Sequence, residues 1–225
     1  MTESARSLRS VNPITRHRRL RRVRGRHAIV LVPLLLSLAS CGSDSSQSRE
    51  LVGYRPSGQQ VVDTMTLPDA SNGDAPFDFV ARPGGLLVVY FGYTSCPDVC
   101  PTTLAMFKSA LAQLGDDASR IDLAMATVDP NRDTADVITG YVQSFVPSAH
   151  ALRTDQADEL RRVADLFGVS YSVTTAADGT IEVAHSGAMY VVNDQGDVVL
   201  TWPFGVVADD VAADLEQLLA ETSAA

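Results

Sequence analysis

The chain has 225 residues, 45% of them hydrophobic and 6% aromatic, with 18 basic and 27 acidic side chains and a net charge of −9. That length supports one or two domains with real apolar cores. The acidic balance excludes a binder of nucleic acid or of anionic lipid surfaces, whose electrostatic footprint would be basic.

The charge is unevenly spread. Residues 1–27 hold nine arginines and a single acid, Glu3. An apolar run follows, Ala28 to Ser40, too short to cross a bilayer as a helix. A basic flank before a short apolar core reads as an export signal. The run closes on Leu38-Ala39-Ser40-Cys41, with Gly42 and a polar tail behind it. This resembles a bacterial lipoprotein signal, in which Cys41 is lipidated on sulfur and becomes the first mature residue. An uncleaved anchor or a plain signal peptide would still leave the domain outside the cytoplasm and beside a membrane. Removing residues 1–40 leaves nine basic against 26 acidic side chains, a net charge of −17.

The expected organisation is a signal over 1–40, a flexible tether over 41–58 and one domain over 59–225. The tether is rich in Ser, Gly, Gln and Asp and lacks apolar periodicity. QVVDTMTL (60–67) predicts a first strand, and LPDASNGDAP (67–76) a hairpin or loop. Leu86 to Tyr93, LLVVYFGY, is a continuous apolar run that suits a strand buried on both faces. A helix follows over TTLAMFKSALAQL (102–114), stopped by Gly115. IDLAMATVD (121–129) predicts a second buried strand. Val137, Ile138, Tyr141, Val142 and Phe145 mark one face of the next helix, and His150 falls in a solvated loop between helices. Thr154 caps a third helix with Leu160, Val163, Ala164 and Phe167 inward, ended by Gly168. Strands at 171–174 and 181–185 flank an Asp178-Gly179 turn. AMYVVND and DVVLTW form an antiparallel pair. A last helix turns Val211, Leu215, Leu218 and Leu219 inward. Strand–helix alternation followed by a hairpin and a terminal helix predicts an α/β fold, a central mixed sheet flanked by helices. A cysteine pair at the end of the first long strand, opening a helix, is the thioredoxin-like arrangement.

That pair lies in FGYTSCPDVCPTT, Phe91 to Thr103. Cys96 and Cys100 are two of three cysteines in the chain. A disulfide between them would close a tiny loop and restrain the unfolded chain little, so it is poorly placed as a staple. Pro101 suits a first helical position, which puts Cys100 just before the helix. The helix N-terminus then favours the thiolate form of both sulfurs. Three residues separate the cysteines where thioredoxin-like oxidoreductases use two. The longer loop permits a disulfide, but it also lets two sulfurs bracket one soft ion, Cu(I) above all. Only two histidines remain in the exported chain, His150 and His185. His185, at the mouth of the late hairpin region, is the better candidate for a third ligand.

These residues resemble the Sco/SenC family of copper-binding, thioredoxin-like proteins. FGYTSCPDVCP resembles its first signature, VDPNRDT (Val128 to Thr134) its second, and His185-Ser186 before an apolar strand and an Asp-Gln-Gly turn its third. Together they cover roughly residues 60–222. The resemblance implies a copper site of Cys96, Cys100 and His185, holding Cu(I), Cu(II) or both. It also implies a role in building the copper centre of cytochrome c oxidase subunit II, by delivering copper, by reducing the partner's cysteines, or both, with an upstream copper donor. Asp129 falls where the family carries an acid near the site, and Asp98 lies between the cysteines; each is expected beside the ligands or against the partner. Phe91 and Tyr93 are expected to pack beneath the site. Leu152-Arg153-Thr154 departs from the family's L-T-G run and is expected to alter a loop and leave the chemistry intact. A thiol-disulfide oxidoreductase using the same pair is the rival reading, and an inert disulfide the bland one.

Overall fold

Strand β3 (Leu86–Gly92) is buried at every position, as its unbroken apolar run predicts. The computed structural model describes residues 49–224; the expected export signal, Cys41 and the first part of the expected tether lie outside the described residues. Around β3 runs a seven-stranded mixed sheet in the order β2-β1-β5-β4-β3-β8-β9. Strand β4 (Ile121–Thr127) pairs parallel with β3, and β5 (His150–Leu152) parallel with β4. On the other side β8 (Met189–Val192) and β9 (Val198–Trp202) continue antiparallel. The hairpin of β1 (Thr66–Asp69) and β2 (Ala75–Asp78) closes the far edge. A separate two-stranded hairpin, β6 (Tyr171–Thr175) and β7 (Ile181–His185), stands outside this sheet.

The period-2 alternation of β3 divides the core. Leu86, Val88 and Tyr90 join the layer formed by α1 (Val99–Gln113), α2 (Ala135–Phe145) and α4 (Ala208–Ala224). Leu87, Val89 and Phe91 face the opposite layer, built on α3 (Ala157–Leu166). The cysteines belong to the first layer. Phe91 therefore packs against Phe167 and Tyr190 on the far side of the sheet, not beneath the cysteines; Tyr90 takes that place.

Other local readings shift in the same way. Val137 is 45% exposed, while Ile138 and Val142 are buried, so the inward face of α2 is narrower than its apolar pattern. Thr154 lies two residues before Gln156, which occupies the N-cap of the third helix: the Thr154 hydroxyl accepts from the Gln156 N–H and donates to Glu159. His150 is not a solvated loop residue. It opens β5, and its Nδ1 lies 2.7 Å from the carboxylate of buried Asp69.

The described part of the segment read as a tether lies against the domain. Fully buried Asp214 accepts from the Val52 and Gly53 N–H groups, from Arg49 and from the indole of Trp202. A buried carboxylate needs such donors. Gly53 is required there, since a Cβ would lie 2.7 Å from Leu200.

Candidate metal centre

The loop from β3 into α1 is locked from below. Asp133, fully buried, accepts from the Thr94 N–H (3.0 Å), the Thr94 hydroxyl (2.5 Å) and the Thr127 hydroxyl (2.6 Å). Arg153 holds Asp133's own loop through the carbonyls of Asp133 (2.8 Å) and Pro130 (3.1 Å). The L-R-T run thus fixes the second motif beneath the first.

Helix α1 begins at Val99, so Cys100 sits inside its first turn and not before it. Pro101 is tolerated one position later because first-turn N–H groups have no acceptor within the helix. One of those orphans, the Cys100 N–H, donates to the sulfur of Cys96 at 3.3 Å. Cys96 therefore performs the capping that Asp98 does not: the exposed Asp98 carboxylate accepts instead from the Thr102 hydroxyl (3.3 Å). Gly92 makes room for the pair, since a Cβ there would lie 3.1 Å from the Cys100 sulfur and 2.7 Å from the Tyr90 ring.

His185 arrives from the small hairpin. It pairs with Tyr171 across the strands, and the Ser186 N–H donates to the Ser170 carbonyl at 2.9 Å. Its Nδ1 lies 3.0 Å from the Ser186 carbonyl. A carbonyl only accepts, so Nδ1 carries the proton and Nε2 keeps a free lone pair. Nε2 stands 3.6 Å from the Cys100 sulfur. Tyr93 and Tyr90 meet the imidazole edge-on, with centroids at 5.7 and 6.2 Å. The ligand atoms of Cys96, Cys100 and His185 all lie within 4.8 Å of one another, and both thiols are free.

Electrostatics separate the two thiols. Burial pushes Cys100 up to about 12. Burial also opposes ionisation of Cys96, but hydrogen bonds from Cys100, the Asp98 backbone and the Tyr93 hydroxyl outweigh it and hold that thiol below its ordinary value. The helix N-terminus thus favours only one thiolate of the two expected. Burial lowers the pKa of His185, leaving a neutral imidazole ready to donate its lone pair.

Asp129 is 1% exposed and ion-pairs with Arg132, whose guanidinium lies over the Tyr93 ring. It reaches the site through those two residues. Asp98 stands on the rim of an open cleft of about 460 Å³ lined also by Tyr93, Cys96, Pro97, His185 and Phe204.

The SCO1/SenC family profile matches residues 72–220. The chain belongs to that family. Copper-bound ScoI of Bradyrhizobium japonicum is similar at 29% identity and a TM-score of 0.59, with 71% of this chain covering 97% of that one. Apo Sco1 of Thermus thermophilus is similar at 29% identity and a TM-score of 0.61, covering 78% and 96%. A SCO2-like protein of Rickettsia typhi is 29% identical over 185 residues, 81% of this chain and 90% of that protein. The matched SCO1/SenC region encloses both cysteines, His185 and the Asp129–Arg132 pair, and its neighbours share the thioredoxin-like architecture.

Sequence reasoning missed Tyr90, Arg132 and Asp133. Alternation along β3 already places Tyr90 on the face of α1, which is a usable signal. Nothing local marks Asp133 as the acceptor for a loop 39 residues earlier.

Proposed function

We propose that the protein is a membrane-tethered copper metallochaperone, lipidated at Cys41 and facing the extracytoplasmic side, with Cys96, Cys100 and His185 as copper ligands. The observation that carries this reading is the convergence of two sulfurs and a correctly tautomerised imidazole on one point beneath an open cleft. Metal–sulfur and metal–nitrogen bonds of about 2.0–2.3 Å bridge ligand atoms at such separations after small side-chain movements. Two sulfurs favour Cu(I), and the imidazole also accommodates Cu(II). Copper is cargo here. Its arrival displaces the Cys100 proton to solvent, since the Nε2 lone pair of His185 is itself the ligand. Its departure proceeds by ligand exchange through the cleft, where Cys96 is the more accessible sulfur.

The Sco family is a family of cytochrome c oxidase assembly proteins, and subunit II is the acceptor we propose, loaded after an upstream donor has filled this site. Copper titration of the exported domain beside its His185→Ala variant tests the ligand set. An unchanged affinity and spectrum would remove His185. Deleting the gene and assaying oxidase activity with and without added copper tests the role: rescue by copper supports delivery, and unaltered oxidase opposes it.

A second reading rests on the thiol asymmetry. A nucleophilic Cys96 above a protonated Cys100 is the arrangement of a thiol-disulfide oxidoreductase. Cys96 thiolate would attack a partner disulfide and Cys100 resolve the mixed disulfide, leaving Cys96–Cys100 oxidised and the partner reduced by two electrons. Oxidised, the pair cannot hold copper, so the two activities alternate. Reduction of a disulfide in a subunit II fragment, lost in Cys96→Ser, supports this reading.

A further inference from the structure

His185 is the one ligand that the β3–α1 loop and the first turn of α1 do not carry. It comes from a hairpin outside the main sheet, with largely exposed strands. Its ring orientation must therefore be set by what touches it. Four contacts do so: the Cys100 sulfur at Nε2, the Ser186 carbonyl on Nδ1, the ring of Tyr90 and the ring of Tyr93. Tyr90 belongs to the buried strand β3 and is held by the core. Tyr93 lies in the loop beyond β3 and is only partly buried, so its ring needs support of its own.

That support is Arg132. Its guanidinium carbon lies 5.8 Å from the Tyr93 centroid, within the range of a cation–π contact. Its Nη2 is buried and has no hydrogen-bond acceptor among the described residues, which leaves the guanidinium over the aromatic face without a competing hydrogen bond at that nitrogen. The other side of the guanidinium is fixed by Asp129, a buried carboxylate in an ion pair with Nε. Such a pair holds its geometry far better than an exposed one. A continuous path therefore runs from Asp129 through Arg132 and Tyr93 to the edge of His185.

We infer that Arg132, anchored by Asp129, is a positioning residue that sets the orientation of His185 through the Tyr93 ring. It acts on the imidazole arm of the site. The ring of Tyr93 carries this effect, and its hydroxyl acts on the Cys96 sulfur instead. This inference rests on the proposed ligand role of His185 for its copper arm alone.

The test places Tyr93→Leu, Tyr93→Phe and the paired change Asp129→Asn with Arg132→Gln in the exported domain, with His185 intact and as His185→Ala. The paired change removes both charges without stranding a buried carboxylate. Cu(I) affinity is read by competition with a chromophoric chelator. With His185 present, Tyr93→Phe reads the loss of the hydroxyl from the Cys96 sulfur alone. Tyr93→Leu weakens binding about tenfold beyond Tyr93→Phe, and the paired change weakens it about tenfold relative to the parent, as groups that orient a metal ligand do. With His185→Ala, Tyr93→Leu loses no more than Tyr93→Phe does, and the paired change adds no further loss. A loss beyond Tyr93→Phe that is equally large in the His185→Ala background would overturn the inference, as would a Tyr93→Leu affinity equal to that of Tyr93→Phe. A second arm uses metal-free protein: long-range nitrogen–proton NMR correlations of His185 report a single Nδ1-protonated ring in the parent and in Tyr93→Phe. In Tyr93→Leu they show exchange between tautomers. A single unchanged ring in Tyr93→Leu would refute the positioning role. Failure of the parent domain to bind copper would sink the metallochaperone reading, and this NMR arm would still decide the positioning.

Discussion

The backbone N–H of Cys100 donates to the sulfur of Cys96 across 3.3 Å, so one cysteine of the pair caps the helical turn that holds the other. That relationship makes two cysteines four positions apart chemically unequal. The capping sulfur gains donors and ionises readily. The capped residue is fully buried and keeps its proton.

Alkylation should expose the inequality. Each unit of pKa separation changes the thiolate fraction about tenfold, and only the thiolate reacts. Iodoacetamide at pH 7 is therefore expected to label Cys96 at least about tenfold faster than Cys100, read by peptide mass spectrometry on metal-free protein. Equal labelling rates would contradict the capping account. The same asymmetry makes the metal-free domain lose stability in alkali. An unfolded thiol releases its proton near 9.0, while Cys100 holds its proton to about 12, so over that window the native state binds more protons and unfolding becomes easier. Urea midpoints should fall over this range, and Cys100→Ala should remove part of the slope.

His185 gives a slope of the opposite sign. Its native pKa is lowered by burial from the ordinary 6.5. As pH falls through 6.5 the unfolded imidazole takes a proton that the native one refuses, so stability is lost toward acid and regained toward neutrality. Metal-free domain unfolded in urea at pH 7 and pH 5 should show this loss, and His185→Gln should flatten it.

Gly92→Ala should damage fold and site together. The added methyl lies 2.7 Å from Tyr90 and 3.1 Å from both the Cys100 sulfur and Met125 in the middle of the buried layer. Overpacking of that kind costs about 1–3 kcal/mol. Chemical denaturation gives the cost, and copper competition should show weaker binding because the Cys100 sulfur is displaced.

Asp214→Ala should free the N-terminal segment without touching the metal site. It removes the acceptor for the Val52 and Gly53 N–H groups and for Trp202, the single tryptophan of the chain. Losing a buried acceptor with several donors costs about 1–3 kcal/mol or more. Tryptophan emission should shift to the red and amide exchange at Val52 and Gly53 should accelerate, with copper affinity unchanged. Unaltered emission would show that the indole does not depend on this carboxylate.

Much of the fold is legible in the chain because its signals are local. Unbroken apolar runs mark β3 and β4, Gly115 and Gly168 take the positive φ that ends their helices, and the Asp178-Gly179 turn places β6 and β7. The short strand at His150 was not legible: three residues carry too little periodicity, and its pairing with β4 is made by distant backbone. The expectation that Phe91 packs beneath the cysteines fails because alternation along β3 turns it to the far layer and gives that place to Tyr90.

The sequence by itself determined the thiol pair and its place after a buried strand and at a helix entrance, since each depends on neighbouring residues alone. Only the tertiary structure decided that His185 stands 3.6 Å from a sulfur 85 positions earlier. It also decided that burial holds Cys100 protonated while hydrogen bonds favour Cys96 as the thiolate, and that Asp129 reaches the site through Arg132 and Tyr93. Proximity across the fold, solvent exclusion and ring orientation are properties of packed surfaces, and no stretch of chain carries them alone.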